Sequence, residues 1–113
     1  MADVVYLISD MLFSSKLRET AKTTGVTVQA AREPAAFAAA AREAKLAIVD
    51  LRLPTALAAL EALGGHPGVR TIGFIDHEKT DVMDAARAKG CSDVMAKGQF
   101  ANALPKLLAS IAG

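Results

Sequence analysis

The sequence predicts an α/β protein with a doubly wound parallel sheet. Strand-like and helix-like segments alternate five times, the connections between them are short, and two of the strands are apolar on both faces. Short alternating units favour parallel strands joined by right-handed helical crossovers. The strand-like runs are 4–9, 26–30, 46–51, 69–75 and 92–96, and the helix-like segments are 12–24, 34–45, 54–63, 80–89 and 102–112. We predict a single domain, residues 1–113, which is long enough for one core.

The first four elements follow from local pattern. Residues 4–9, VVYLIS, form a short apolar run rich in β-branched residues, which is typical of a central strand. Residues 12–24 have helical spacing and end at a glycine. Residues 26–30 alternate as a strand does. Residues 34–45 start at Pro34, which suits a first helical turn, and consist mostly of strong helix formers.

The next five elements repeat the same alternation. Residues 46–51, LAIVDL, are a second apolar run, and residues 54–63 are helical and end at two glycines. Residues 69–75 read as a strand, 80–89 as a helix closed by a glycine, and 92–96 as a last short strand.

Proline sets the predicted start of the final helix. Pro105 lacks a backbone N–H, so it suits a first turn, which places the cap near Asn102 and leaves Phe100 in the connection. The side chains expected to face the sheet are Leu104, Leu107, Leu108 and Ile111.

Composition narrows the function classes. The formal net charge of +1 gives no electrostatic reason to expect nucleic acid or an anionic membrane as a partner. No apolar stretch approaches the roughly 18 residues of a spanning helix, and the N-terminal residues lack the basic region of a signal peptide. The single cysteine, Cys91, fits a reducing compartment and packing rather than a reactive thiol. We therefore expect a cytoplasmic protein.

Polar residues follow the predicted strands where a doubly wound fold places its site. Sites of such folds lie outside the carboxyl ends of the strands. Asp10, Asp50 and Asp76 stand there together with Lys97. Clustered carboxylates need a cation, Mg²⁺ prefers oxygen ligands, and an ammonium suits phosphoryl oxygens. The pattern predicts a magnesium-assisted phosphoryl site with Asp50 as the candidate nucleophile.

Three motifs resemble the receiver domain of bacterial response regulators, and the resemblance covers the whole chain. AIVDLRLP (47–54) is similar to the strand that carries the phosphoacceptor aspartate. AKGCSDVMAKGQF (88–100) is similar to the stretch that ends near the family's lysine, and YLISDM (6–11) to the first strand and its acidic pair. Each motif is weak alone, and their separations along the chain make the combination more specific.

The resemblance implies a CheY-like, flavodoxin-like (βα)5 fold with strand order 2-1-3-4-5. It also implies a two-component phosphorelay role in which Asp50 carries an acyl phosphate and Lys97 pairs with the phosphoryl oxygens. Asp10, Asp50 and the backbone carbonyl of Arg52 would hold Mg²⁺. The implied partner is a histidine kinase or another signalling protein, bound near the fourth helix, fifth strand and fifth helix. We expect no enzyme activity and no attached output domain.

Several residues depart from the family pattern. Ser9 replaces the first acid after strand 1, so we predict that Mg²⁺ binds weakly or not at all. Ile75 or Asp76 stands where a hydroxyl is usual, Val94 where an aromatic is usual, and Gly98 where a proline usually follows the lysine. The sequence therefore resembles an atypical receiver.

Other interpretations stay open. The main alternative is a pseudo-receiver that binds proteins independently of phosphorylation. A cofactor-binding flavodoxin-like domain is a third class, but a phosphate-binding loop is missing from the sequence. Asp50 could simply cap the turn into the third helix, and Asp10 could cap the first helix as well as bind a metal. Asp76 and His77 also fit plain loop residues.

Overall fold

The sheet of this protein is parallel and five-stranded, in the order β2-β1-β3-β4-β5. A computed structural model describes residues 2–66 and 68–112. The strands are β1 (Val4–Leu7), β2 (Val28–Ala30), β3 (Leu46–Asp50), β4 (Arg70–Ile75) and β5 (Asp93–Ala96). The helices are α1 (Met11–Thr24), α2 (Pro34–Ala41), α3 (Ala56–Leu63), α4 (Thr80–Ala88) and α5 (Lys97–Ala112). The predicted fold class and strand order are confirmed.

Two apolar clusters cover the two faces of the sheet. One joins the inward side chains of α2, α3 and α4 to alternate strand residues such as Val5 and Val49. The other joins α1 and α5 to Tyr6, Ile48 and Phe74. Every residue of β1 and β3 is buried, as the unbroken apolar runs predict for strands covered on both sides.

The ends of the first helix follow the predicted chemistry. Asp10 is the N-cap, and its side chain accepts hydrogen bonds from the backbone N–H groups of Leu12 and Phe13. Gly25 closes the helix at φ 77°, a left-handed conformation that favours glycine. The cap on Asp10 places its carboxylate at the carboxyl edge of the sheet.

The predicted start of the last helix is wrong. Helix α5 begins at Lys97, directly after β5, and Pro105 lies in its interior rather than in a first turn capped by Asn102. Phe100 is part of the helix and buried, not in a connection. Its ring stacks on Phe74 with centroids 4.6 Å apart. Burial of Phe100, Leu104, Leu107 and Leu108 on one face stabilises the helix beyond what one missing N–H costs.

Other element boundaries shift by a few residues. Helix α2 ends at Ala41, with Arg42 as its C-cap, because the backbone N–H groups of Glu43 and Ala44 donate to carbonyls three residues back and tighten the chain into a turn. Helix α3 starts at Ala56, after a turn that contains Pro54. In the described ranges, no helix is long and apolar enough to cross a membrane.

Candidate functional site

Asp50 ends the central strand β3 and is fully buried. Strand β1 lies on one side of β3 and β4 on the other, and Asp50 pairs with Phe74 in the register of β4. A buried carboxylate needs hydrogen-bond partners or a counter-charge to be stable. The residues around Asp50 supply both.

Arg52 is the main partner of Asp50. Its Nε donates to Asp50 Oδ1 at 3.1 Å and its Nη2 donates to Oδ2 at 3.0 Å. The backbone N–H of Arg52 also donates to Oδ1, at 3.0 Å, which closes a turn of the Asx type. The hydrogen bond to Asp50 raises the pKa of the Arg52 guanidinium above its ordinary value. Asp50 therefore caps the turn after β3, although the N-cap of α3 is Thr55.

Ser9 lies at this site. Its hydroxyl donates to Asp50 Oδ2 at 3.4 Å, a long bond. The position where the family usually has an acid thus faces the Asp50 carboxylate across the end of β1.

Asp10 combines two roles. Its Oδ1 caps helix α1, while its Oδ2 lies 3.3 Å from Arg52 Nη2 and 3.9 Å from Lys97 Nζ. The pKa of Asp10 is below its ordinary value, chiefly because the backbone N–H of Phe13 donates to the carboxylate, with Arg52 and Lys97 adding to the effect. Arg52 therefore bridges Asp10 and Asp50.

Lys97 opens helix α5 beside this bridge. It pairs with Asp10, and within the described residues it forms no salt bridge with Asp50. Its Nζ lies 5.2 Å from the centroid of the Phe13 ring, a cation–π distance. Phe13 in turn stacks on Phe74, with centroids 5.1 Å apart. We call Asp10, Asp50, Arg52 and Lys97 the Asp50 cluster.

The structure does not bring the third predicted carboxylate into the cluster. Asp76 follows β4 and lines a pocket of about 350 Å³, whose wall also includes Arg52 and Lys79. His77 is exposed, and its Nε2 lies 3.8 Å from Oε2 of Glu78. The expectation that three carboxylates and a lysine meet is wrong for Asp76, which within the described residues forms no salt bridge with Arg52 or Lys97. Among the described residues, no three acidic, histidine or cysteine side chains are grouped to hold a metal ion.

The strands carry apolar residues at the expected switch positions, and Asp76, the other residue considered at the end of β4, follows the strand. Ile75 is buried at the end of β4 and has no hydroxyl to offer. Val94 is half-buried on β5. Apolar groups at both positions offer no hydrogen bond to an anion at Asp50.

Mg²⁺ does not fit the cluster in this arrangement. Both oxygens of Asp50 accept bonds from Arg52, and the two carboxylates are already bridged by its guanidinium. Mg²⁺ demands near-octahedral oxygen coordination at short distances, so it would have to displace the arginine.

Sequence reasoning missed the side chains of Arg52 and Phe13 as members of the site. Arg52 entered the prediction only through its backbone carbonyl. The sequence did contain a signal for Arg52, because it lies two residues after Asp50. An Asx-type turn at Asp50 brings these two residues close together. Phe13 gave no signal, because its contact with Lys97 joins residues far apart in sequence.

Comparison with solved structures gives clear matches. The receiver domain of NtrX from Brucella abortus shares a TM-score of 0.75 at 20% identity, over 97% of this chain and 97% of that one. The chain has the receiver fold. A response regulator receiver domain from Rhodospirillum rubrum matches with a TM-score of 0.68 at 17% identity, over 95% of this chain and 92% of that one. A putative pilus assembly-related protein from Burkholderia pseudomallei matches with a TM-score of 0.71 at 19% identity, over 99% of this chain and 90% of that one.

The matched structures differ in length. The chain spans 26% of a longer NtrX chain from Brucella abortus, which it matches over 98% of its own length at 18% identity and a TM-score of 0.75. No family model matches the sequence. No curated protein matches it either.

Proposed function

We propose that this protein is a receiver-like signalling domain that binds a partner protein without needing phosphorylation of Asp50. The observation that carries the proposal is the pairing of Arg52 with both oxygens of Asp50, at 3.1 and 3.0 Å. A carboxylate must present a free oxygen to attack a phosphoryl group. With Arg52 in place, both oxygens of this buried side chain already accept hydrogen bonds.

The switch region supports the same proposal. A ligand shifts an equilibrium between two conformations only through contacts that differ between them. The residues at the end of β4 and on β5 that would follow a phosphoryl group are Ile75 and Val94, which offer no hydrogen bond. We propose that the domain keeps one dominant conformation, with its partner on the surface formed by α4, β5 and α5. We further propose that the partner is a histidine kinase or another signalling protein, and that the domain itself has no enzyme activity.

A conventional phosphoacceptor is the second candidate. The placement of Asp50 at the carboxyl end of the central strand, with Asp10 and Lys97 at the same edge, favours it. In that case Arg52 would have to swing away before phosphorylation, and Lys97 would turn from Asp10 to the phosphoryl oxygens. A bacterial, cytoplasmic setting is part of both proposals, and the single cysteine is compatible with a reducing compartment.

Intact-mass measurement separates the two candidates. The protein is incubated with a small phosphodonor and Mg²⁺, beside an Asp50→Asn control. We expect no mass increase in either protein. A gain of one phosphoryl group that the Asp50→Asn variant lacks would establish Asp50 as a phosphoacceptor. Binding of an identified partner is then compared for the same two proteins, and equal affinities are expected. A clear loss of affinity in Asp50→Asn would contradict the proposal.

A further inference from the structure

The Asp50 cluster is already balanced in charge. It holds two carboxylates, of Asp10 and Asp50, and two cationic side chains, of Arg52 and Lys97. A bound divalent ion would therefore add two unbalanced positive charges next to the guanidinium. Two like charges a few ångströms apart repel each other even when water screens them.

The hydrogen-bond acceptors of Asp50 are also occupied. Asp50 has no exposed surface, and its two oxygens accept four bonds, three from Arg52 and one from Ser9. Across residues 2–66 and 68–112, no buried side-chain nitrogen or oxygen lacks a partner. Asp50 therefore has no unmet bond that a metal ion would be needed to satisfy.

The geometry of the bridge suits a guanidinium. Arg52 presents a planar fork to Asp50, and the same Nη2 reaches Asp10 at 3.3 Å. Such bidentate pairing is a property of arginine that the point charge of lysine cannot reproduce. The bridge spans residues from the ends of β1 and β3, the two strands between which a metal ion would lie.

We propose that the guanidinium of Arg52 is the resident cation of the Asp10–Asp50 pair and excludes divalent metal ions from it. Arg52 thus acts as a specificity-determining residue, because it decides which cation the two carboxylates hold. The inference rests on the proposed function, since both concern the same pair of carboxylates. Its test measures cation binding alone, whereas the proposed function is tested by phosphoryl transfer and partner affinity, so that failure of one is distinguishable from failure of the other.

The test is a gain of metal binding. Mn²⁺ is titrated into the parent protein and into Arg52→Ala, and paramagnetic broadening of amide NMR signals locates the ion. We expect Arg52→Ala to bind Mn²⁺ at least about tenfold more tightly, as removal of a neighbouring positive charge predicts. The broadening should centre on the residues around Asp10 and Asp50, and it should vanish in Arg52→Ala/Asp50→Asn.

Arg87→Ala is the matched control. Arg87 also pairs with a carboxylate, Asp84 at 3.1 Å, but both side chains are exposed on α4 and away from the cluster. This variant removes the same charge from the protein, so it should bind Mn²⁺ as the parent does. Equal increases in Mn²⁺ affinity in Arg52→Ala and Arg87→Ala would show that the increase depends only on the net charge of the protein, which would overturn the proposal.

Chemical rescue adds an independent test. Free guanidinium at millimolar concentration should refill the space left in Arg52→Ala and displace Mn²⁺, whereas it should not affect signals around Arg87 in Arg87→Ala. If Arg52→Ala fails to fold, Arg52→Lys replaces it in the test. We expect Arg52→Lys to bind Mn²⁺ more tightly than the parent does. A parent protein that binds Mn²⁺ at Asp10 and Asp50 as tightly as either Arg52 variant would overturn the proposal.

Discussion

The guanidinium of Arg52 donates to both carboxylate oxygens of Asp50, two residues earlier in the chain, at 3.1 and 3.0 Å. Asp50 is fully buried, whereas the side chain of Arg52 is 33% exposed. The pair therefore combines a desolvated carboxylate with a cation that still contacts solvent. Loss of the cation would leave a buried charge with weaker compensation, which makes this pair important for stability as well as for the chemistry of the site.

Removal of Arg52 should destabilise the fold, and removal of the Asp50 charge should offset that loss. Breaking a fully buried pair costs about 3–5 kcal/mol, and the partial exposure of Arg52 lowers our expectation for Arg52→Ala to about 1–3 kcal/mol. In a double-mutant cycle with Asp50→Asn, we expect a coupling energy of at least about 1 kcal/mol. Chemical denaturation of the parent, the two single variants and the double variant measures this coupling energy. Arg87→Ala should cost less than about 0.5 kcal/mol, and additive effects of the two cluster substitutions would contradict the pairing.

A third carboxylate should improve Mg²⁺ binding. Ser9 lies 3.4 Å from Asp50 Oδ2, so Ser9→Asp would place an acid beside the existing pair. We expect the weakest binding in the parent, where Arg52 competes with the ion, and tighter binding in Ser9→Asp. The largest increase is expected when Arg52 is also replaced by alanine, since Mg²⁺ then gains a charged ligand and loses its competitor. Calorimetric titration measures this, with Ser110→Asp on α5 as a control of equal charge. Equal affinities in the parent and Ser9→Asp would show that the new carboxylate does not reach the ion.

A phosphate mimic should leave most of the domain unchanged. Ile75 and Val94 cannot donate a hydrogen bond to an anion at Asp50, so these two positions do not transmit its presence to β5. Amide NMR spectra with and without beryllofluoride and Mg²⁺ should differ only around the Asp50 cluster, if at all. Shifts that spread through β5 and α5 would demonstrate a working switch by another route.

Replacement of Pro105 should stabilise helix α5. Pro105 is exposed in the helix interior and cannot donate the backbone bond that the carbonyl of Ala101 would accept. Because proline is about 3 kcal/mol less favourable than alanine in a helix interior, and stiffens the unfolded chain, we expect Pro105→Ala to gain about 1–2 kcal/mol. Thermal unfolding measures the gain against Lys106→Ala, which should be close to neutral. A loss of stability in Pro105→Ala would show that the ring itself makes a needed contact.

The thiol of Cys91 should be unreactive and should make stability fall at high pH. Burial raises the pKa of Cys91 to about 11, while its Sγ donates to the carbonyl of Asp93 at 3.1 Å. The unfolded thiol ionises near pH 8.5, so from about there to pH 11 the unfolded state binds fewer protons and stability declines. The free energy of unfolding of the parent should therefore fall more steeply over this range than that of Cys91→Ala. Identical slopes, or rapid alkylation of the native thiol at pH 8, would contradict the shift.

Much of the fold could be predicted from local sequence. The apolar runs that became β1 and β3 bury every residue, because strands covered on both faces need no polar alternation. The cap at Asp10 and the left-handed turn at Gly25 are likewise local, since each depends on a few neighbouring backbone groups. The edge at which Asp10, Asp50 and Lys97 lie followed from parallel strand order alone.

Tertiary structure decided what local pattern could not. Helix α5 includes Phe100 and tolerates Pro105 because Phe100 stacks on Phe74 of a distant strand, a contact that no window of sequence contains. Lys97 pairs with Asp10 and lies over the ring of Phe13, while Arg52 bonds both oxygens of Asp50. Asp76 lines a pocket with Arg52 and Lys79 instead of joining the cluster. Sequence alone predicted that carboxylates would meet at this edge and need a positive charge, although it placed three of them there, Asp76 included. Which cation pairs with the carboxylates depends on the direction of a long, flexible side chain after the strands have packed. Here Arg52 pairs with Asp50, because a buried carboxylate is stabilised most by a cation that also donates hydrogen bonds to both of its oxygens.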